Sequence, residues 1–400
     1  MKHAVQAEVV SEVIFEVRGD TGFISLNRPK ALNALNLPMI RAITGQLLAW
    51  RDDAAVTFVA IRGMGRPLAD GTPQSFGSFC AGGDIRFFHQ AALAGNPELE
   101  DFFTEEYRLN HLIATYPKLY IALMDGIVMG GGMGISQGAS LRIVTERTKM
   151  AMPETGIGLF PDVGGGYFLS RCPGHVGEYL ALTGVVIGAD EALAYGLADQ
   201  KIESAELPVL WQDLSCFDTV AALECRSELV SNDKTIASNI FQSTPKNIAT
   251  QAINTPAIDQ IDHFFGLPTV AAIVQALEAS TDPWAQQSAK TLRSRSPLML
   301  HVVLEQIRRG RQMDLAQDLQ MERDLVRHCF HTAHLGRQGV SSETVEGIRA
   351  LAVDKDHAPK WQPARIEDVT PDMVLPFFSS PWPPHAHPLR GLLSAENADS

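Results

Sequence analysis

The chain has 400 residues, 45% hydrophobic and 20% charged, which is enough apolar material for a large core in one big domain or two. Lys and Arg number 33 against 46 Asp and Glu, a net charge of −13 that argues against a general nucleic-acid surface or an anionic membrane as partner. The first ten residues, MKHAVQAEVV, resemble neither a secretory signal nor an Arg-rich transit peptide, no segment reads as a membrane span, and five cysteines without a CxxC spacing argue against a disulfide framework or a zinc site, so a reducing cytoplasm is the expected setting.

From Val9 to about Ile202 one order recurs: a β-rich run, a second after a turn, then a helical stretch. VVSEVIFEV and GFISLN read as strands, NRPK as a turn, and Leu37 to Trp50 as a helix with Asn36 as N-cap and Pro38 in its first turn. VTFVAIRG is the next strand, and a polar loop from Met64 to Ser78 leads to FCAGGD and a helix starting near Asp84. LYIALMDG precedes IVMGGG, which enters a third helix, and SLRIVTE with KMAMPE precede MPETGIGLFPDVGGGYF. After Ile202 the β signal fades, and patterns such as TVAAIVQALEAS and LMLHVVLEQIRRG predict an all-helical region over 203–376. The Pro-rich, polar stretch 377–400 reads as a poorly ordered tail.

Neither GGGMGISQG nor GIGLFPDVGGG satisfies GxGxxG, and no Gly-Lys pair offers a P-loop. Gly134-Ile135-Ser136-Gln137-Gly138 does fit GxSxG, but Gly130 to Gly132 already make the turn, which places Ser136 inside the helix rather than at a nucleophile elbow. Those glycines can be a tight turn only, or they can expose main-chain N–H groups at a helix start; Gly82-Gly83-Asp84 offers the same possibility. Two such points converging would form an oxyanion hole. Glu154 and Asp162 are the only acids in MPETGIGLFPDVGGGYF, and carboxylates are costly to bury unless bonded or paired. Their bland explanations are a structural salt bridge for Glu154 and a helix N-cap for Asp162; the alternative is chemistry.

LNRPKALNALN (26–36), FCAGGDI (79–85), MDGIVMGGGMG (124–134) and MPETGIGLFPDVGGGYFLSR (152–171) resemble, in order and spacing, the crotonase, or enoyl-CoA hydratase/isomerase, superfamily. EEYRLN (105–110) and EGIRALAVDKDHAPKWQPA (346–364) extend the resemblance to its 3-hydroxyisobutyryl-CoA hydrolase branch over nearly the whole chain. The resemblance implies an α/β fold: a crotonase-like spiral of repeated ββα units over 1–202, followed by the helical region. It also implies hydrolysis of an acyl-CoA thioester, as in valine breakdown, with no cofactor beyond the CoA of the substrate, and a homo-oligomer, trimer or hexamer. By the same resemblance Gly83 and Gly131 form the oxyanion hole, Glu154 and Asp162 are the catalytic acids, and Glu106, Asp84 and Ala31 contact the substrate.

Hydratases of the superfamily carry one catalytic Glu two residues after the GGG run and a second at the position of Glu154, whereas this chain has Gly134 at the first. Adding water across a double bond needs both a base and an acid, so hydration is not expected. An enoyl-CoA isomerase, which needs only Glu154 as a proton shuttle, remains as the alternative. A non-catalytic CoA-binding protein would have no use for both Glu154 and Asp162.

Overall fold

A computed structural model describes residues 11–72, 74–216 and 257–392. Its six-stranded sheet has the order β1-β2-β3-β4-β6-β8, with β1 (Val13–Arg18), β2 (Thr21–Leu26), β3 (Phe58–Gly63), β4 (Leu119–Met124), β6 (Leu141–Thr145) and β8 (Gln200–Ile202). β1 and β2 form an antiparallel hairpin, and every later neighbour is parallel. Parallel pairing requires a crossover between strands, and the helical runs supply it. The helix α1 (Leu37–Asp52) begins as expected: the Asn36 side chain accepts from Met39 N–H at 2.9 Å, and Leu37, Ile40, Ile43, Leu47 and Trp50 bury one stripe. α2 (Ile85–Ala94) and α3 (Glu98–Ala114) follow β3.

A second, two-stranded parallel sheet positions the site. β5 (Ile127–Met129) pairs with β7 (Lys149–Ala151) so that Met129 lies opposite Ala151. On the other side of β5, Cys80 N–H donates to Ile127 O at 3.0 Å and Met129 N–H to Cys80 O at 3.0 Å. FCAGGD therefore contributes a single parallel bridge, Cys80 to Val128. Three chain segments thus run side by side and end together at Gly82-Gly83, Gly130-Gly131 and Met152-Pro153-Glu154. Carboxyl ends of parallel strands are where such folds place ligands.

The described part of the region after 202 is helical but not entirely so, since His331–Thr332 and Arg337–Gln338 form a short antiparallel ribbon, and residues 217–256 of the expected helical region lie outside the described residues. Its first helix, Leu207–Asp213, covers the far face of the large sheet, with Leu207, Leu210 and Trp211 packed on Phe23, Ala60 and Ile143. One apolar cluster continues from Ile24 and Leu47 to Leu300, Leu325 and Phe377, so residue 202 divides strand-rich from helical sequence rather than one core from another. The expected loose tail is packed as far as the structure describes it. Phe377 and Leu389 are 1% exposed, Gln320 donates to Leu389 O at 3.0 Å, and Arg108 donates to Pro388 O at 2.7 Å. Apolar side chains interleaved with the prolines hold this stretch down, while residues 393–400 lie outside the described part.

Candidate active site

The three segment ends open into a cavity of about 330 Å³ whose wall includes Gly83, Gly131, Glu106, Glu154, Asp162 and Arg295. Among the described residues, the main-chain N–H groups of Gly83 and Gly131 have no hydrogen-bond acceptor. Their loops touch: a Cβ placed on Gly82 would lie 3.5 Å from Gly131 N. α4 (Gly131–Gln137) starts here, with Gly130 at φ 48° turning the chain out of β5. Inside α4 the Ser136 hydroxyl donates to Gly132 O at 2.8 Å and is fully buried, a helix-bound serine rather than a nucleophile.

The acids face these glycines. A Cβ on Gly130 would meet Glu154 Oε1 at 2.8 Å, and one on Gly131 would meet Glu106 Oε1 at 2.5 Å, so each carboxylate lies against the glycine run where only hydrogens stand. Glu106 reaches the cavity from α3, whose buried face also carries Phe102, Phe103 and Tyr107. Glu154 begins a one-turn 3-10 helix, Glu154–Ile157, immediately after β7. Asp162 accepts from Tyr107 Oη at 2.9 Å and precedes Val163, which is held at φ 57°. That left-handed conformation costs a β-branched residue roughly 1–3 kcal/mol, which the surrounding contacts must offset.

Neither bland explanation holds. Among the described residues Glu154 has no ion-pair partner and its Oε2 has no hydrogen bond, and the N-cap of the next helix, α5 (Gly165–Leu169), is Gly164 rather than Asp162. Glu106 Oε1 is also unbonded. Burial, and then the charge of Asp162, raise the Glu154 carboxyl well above the ordinary range. Burial, then Asp162, then Glu154 do the same to Glu106. Asp162 is pushed up to about 7 by burial, against the pull of the Tyr107 hydrogen bond. Three carboxyls around one cavity oppose one another's ionisation, which favours keeping a proton among them.

The raised carboxyls carry a stability consequence with a definite sign. Below its ordinary pKa Glu106 is protonated in both folded and unfolded chains and costs nothing; above it the unfolded chain ionises while the folded chain holds the proton, and folding weakens as pH rises. Glu106→Gln removes that penalty. It is expected to leave Tm unchanged near pH 4.5 and raise it by about 2 °C or more at pH 8, read by thermal melts at the two pH values.

Two residues expected to contact substrate lie off this wall. Asp84 caps α2, accepting from Phe87 N–H at 3.4 Å, and pairs with Arg28 at 3.4 Å, so its carboxylate is engaged in holding the glycine loop to the turn before α1. Ala31 sits in the 3-10 turn Pro29–Ala31, beyond Leu32, whose carbonyl accepts from Ala81 N–H at 3.0 Å; it borders the site through that strand contact and does not line the cavity. Sequence reasoning passed over Tyr107, although it adjoins Glu106 in EEYRLN. It also passed over Arg295, which lines the cavity and donates to Thr183 O from Nε at 3.0 Å and Nη2 at 2.6 Å. Nothing local in LRSRSP marks that arginine.

Comparison with known proteins agrees with this geometry. A family model described as enoyl-CoA hydratase/isomerase matches residues 21–378. The protein named 3-hydroxyisobutyryl-CoA hydrolase, mitochondrial, of Xenopus tropicalis is 40% identical over 372 residues, covering 92% of this chain and 89% of that one. The protein named 3-hydroxyisobutyryl-CoA hydrolase 1 of Arabidopsis thaliana is 39% identical over 381 residues, covering 94% and 93%. A crystal structure described as a carnitinyl-CoA dehydratase from Mycobacterium thermoresistibile superposes with a TM-score of 0.76 at 33% identity, covering 94% of this chain and 98% of that one. Among the described residues no helix is long and apolar enough to cross a membrane, and the Xenopus relative is named as mitochondrial, so proteins similar to this chain are not confined to the cytoplasm. The ββα sequence pattern, the parallel sheets ending at two glycine loops, and matches that span nearly the whole chain lead to one conclusion: this chain belongs to the enoyl-CoA hydratase/isomerase family.

Proposed function

We propose that this protein hydrolyses an acyl-CoA thioester, 3-hydroxyisobutyryl-CoA or a close 3-hydroxyacyl-CoA, to the free acid and CoA, a step that fits valine breakdown. The observation that carries this reading is the pairing, in one cavity, of two main-chain N–H groups without acceptors and three buried carboxyls. The relatives named 3-hydroxyisobutyryl-CoA hydrolase support the choice of acyl group.

In this reading the thioester oxygen takes the N–H groups of Gly83 and Gly131, which strengthen their bonds as negative charge develops. Glu154 attacks the carbonyl carbon directly or removes a proton from the attacking water; Asp162, held by Tyr107, supplies or receives the accompanying proton. Glu106 contacts the acyl end, while Ala31 and Asp84 border the CoA side. The C–S bond breaks and CoA leaves as a thiolate whose conjugate acid has a pKa of about 8.5, so the leaving group needs no strong acid. The reaction uses no cofactor beyond the CoA of the substrate. An isomerase would employ Glu154 alone and leave Asp162 and Glu106 as an electrostatic cost without a purpose. Assembly as a trimer or hexamer belongs to the same reading and is read by light scattering.

The test is a panel of branched and straight 3-hydroxyacyl-CoA and enoyl-CoA substrates with thiol release as readout. Release from 3-hydroxyisobutyryl-CoA at the highest kcat/KM is expected. A double-bond shift without thiol would replace the hydrolase reading with the isomerase one.

A further inference from the structure

The proposed chemistry leaves unused a second pair of buried acids, supplied by the helical region. Asp318 and Glu322 lie one turn apart on the helix Leu315–Phe330, and both are fully buried. Glu322 Oε2 accepts from Gly164 N–H at 2.7 Å, and its Oε1 accepts from Gly166 N–H at 2.9 Å and from Gln306 Nε2 at 3.1 Å. Asp318 Oδ2 accepts from Tyr167 N–H at 2.9 Å. Gln306 Nε2 also donates to Pro161 O at 2.7 Å.

These bonds bracket Asp162 on both sides, at Pro161 before it and Gly164 after it. Between them Val163 and Gly164 adopt φ 57° and 87°, backbone states that a peptide segment would leave if released. Burying two carboxyls there is unfavourable, since burial raises Glu322 well above its ordinary range and Asp318 to about 7. We propose that Glu322, braced by Gln306, is a positioning residue: it clamps the 161–166 backbone so that the Asp162 carboxyl stays on the cavity wall beside Glu154. This rests on the reading of Asp162 as a reacting acid. It makes the helical second half part of the catalytic apparatus.

The experiment compares the whole protein with Glu322→Gln and Gln306→Met, using thiol-release kinetics and hydrogen exchange of peptides spanning 159–169, with Glu154→Gln as control. The Glu322→Gln amide presents one acceptor and one donor to two N–H groups, so one of them loses its bond. Expected are exchange at 163–167 about tenfold faster or more and a fall in kcat of about tenfold to a hundredfold at little-changed KM, as follows from a displaced reacting group. Gln306→Met gives the same pattern more weakly, about threefold, and decides the matter if Glu322→Gln does not fold. A folded Glu322→Gln with a lower Tm but wild-type kcat, or wild-type exchange at 163–167, overturns the proposal, as does a Gln306→Met protein unchanged in both readouts. Glu154→Gln is expected to lose thiol release with exchange at 163–167 intact. A wild-type protein that releases no thiol from any 3-hydroxyacyl-CoA would overturn the hydrolase reading, and exchange would still decide the clamp.

Discussion

Glu154→Gln is expected to lower kcat for thiol release by about a thousandfold, with KM changed by less than about threefold. The amide has nearly the same shape and lies against the same Gly130 surface, so binding is retained while the basic or nucleophilic oxygen is lost. Losses of about 10²–10⁴ accompany removal of a positioned base, and loss of a nucleophile costs at least as much. Because Glu154 is buried, unpaired and raised in pKa, the same substitution should not reduce Tm at pH 8. A stable variant with little activity separates a reacting group from a structural one. Oxygen-18 incorporation during a single turnover in labelled water then tests the covalent route: label in Glu154 means an acyl-enzyme anhydride opened at the Glu154 carbonyl, and label only in the product means that water attacked the acyl carbon, of the thioester or of the anhydride. Retention of more than about a tenth of wild-type kcat in Glu154→Gln would sink the assignment of Glu154.

Gly134→Glu, which puts a Glu at the position of the hydratases' first acid, is expected to destabilise the protein by about 3 kcal/mol and to create no hydratase. A Cβ at 134 would lie 2.6 Å from Val163 Cβ and 2.9 Å from Asn110 Nδ2. Val163 cannot easily retreat, because its backbone is part of the Asp162 turn that Glu322 holds. Overpacking of this kind costs about 1–3 kcal/mol, and a carboxylate buried among Glu106, Glu154 and Asp162 adds to it. A side chain at 134 and the Asp162 turn therefore compete for one space. Chemical denaturation and an enoyl-CoA hydration assay check this; a stable variant that hydrates crotonyl-CoA would show that the turn can move aside.

Much of the fold is written in short-range pattern. The β-rich runs of β1 and β2, the Asn36 cap with its apolar stripe, and the strand-to-glycine transition at 129–131 depend on neighbours within a few residues, and the structure places them where the pattern predicts. The tail misled because proline content signals the absence of regular structure, not the absence of packing.

Residue types and order alone determined that this chain would alternate β-rich runs with helices, join them through glycine-rich segments and carry two acids in an apolar stretch. Its resemblance to a known family supplied their expected roles. Tertiary structure decided what those acids share: a cavity, a third carboxyl from α3, and a clamp from Glu322 more than 150 positions away. Such partners leave no local trace, because burial and electrostatic coupling depend on which surfaces meet after folding, and spacing along the chain does not encode that.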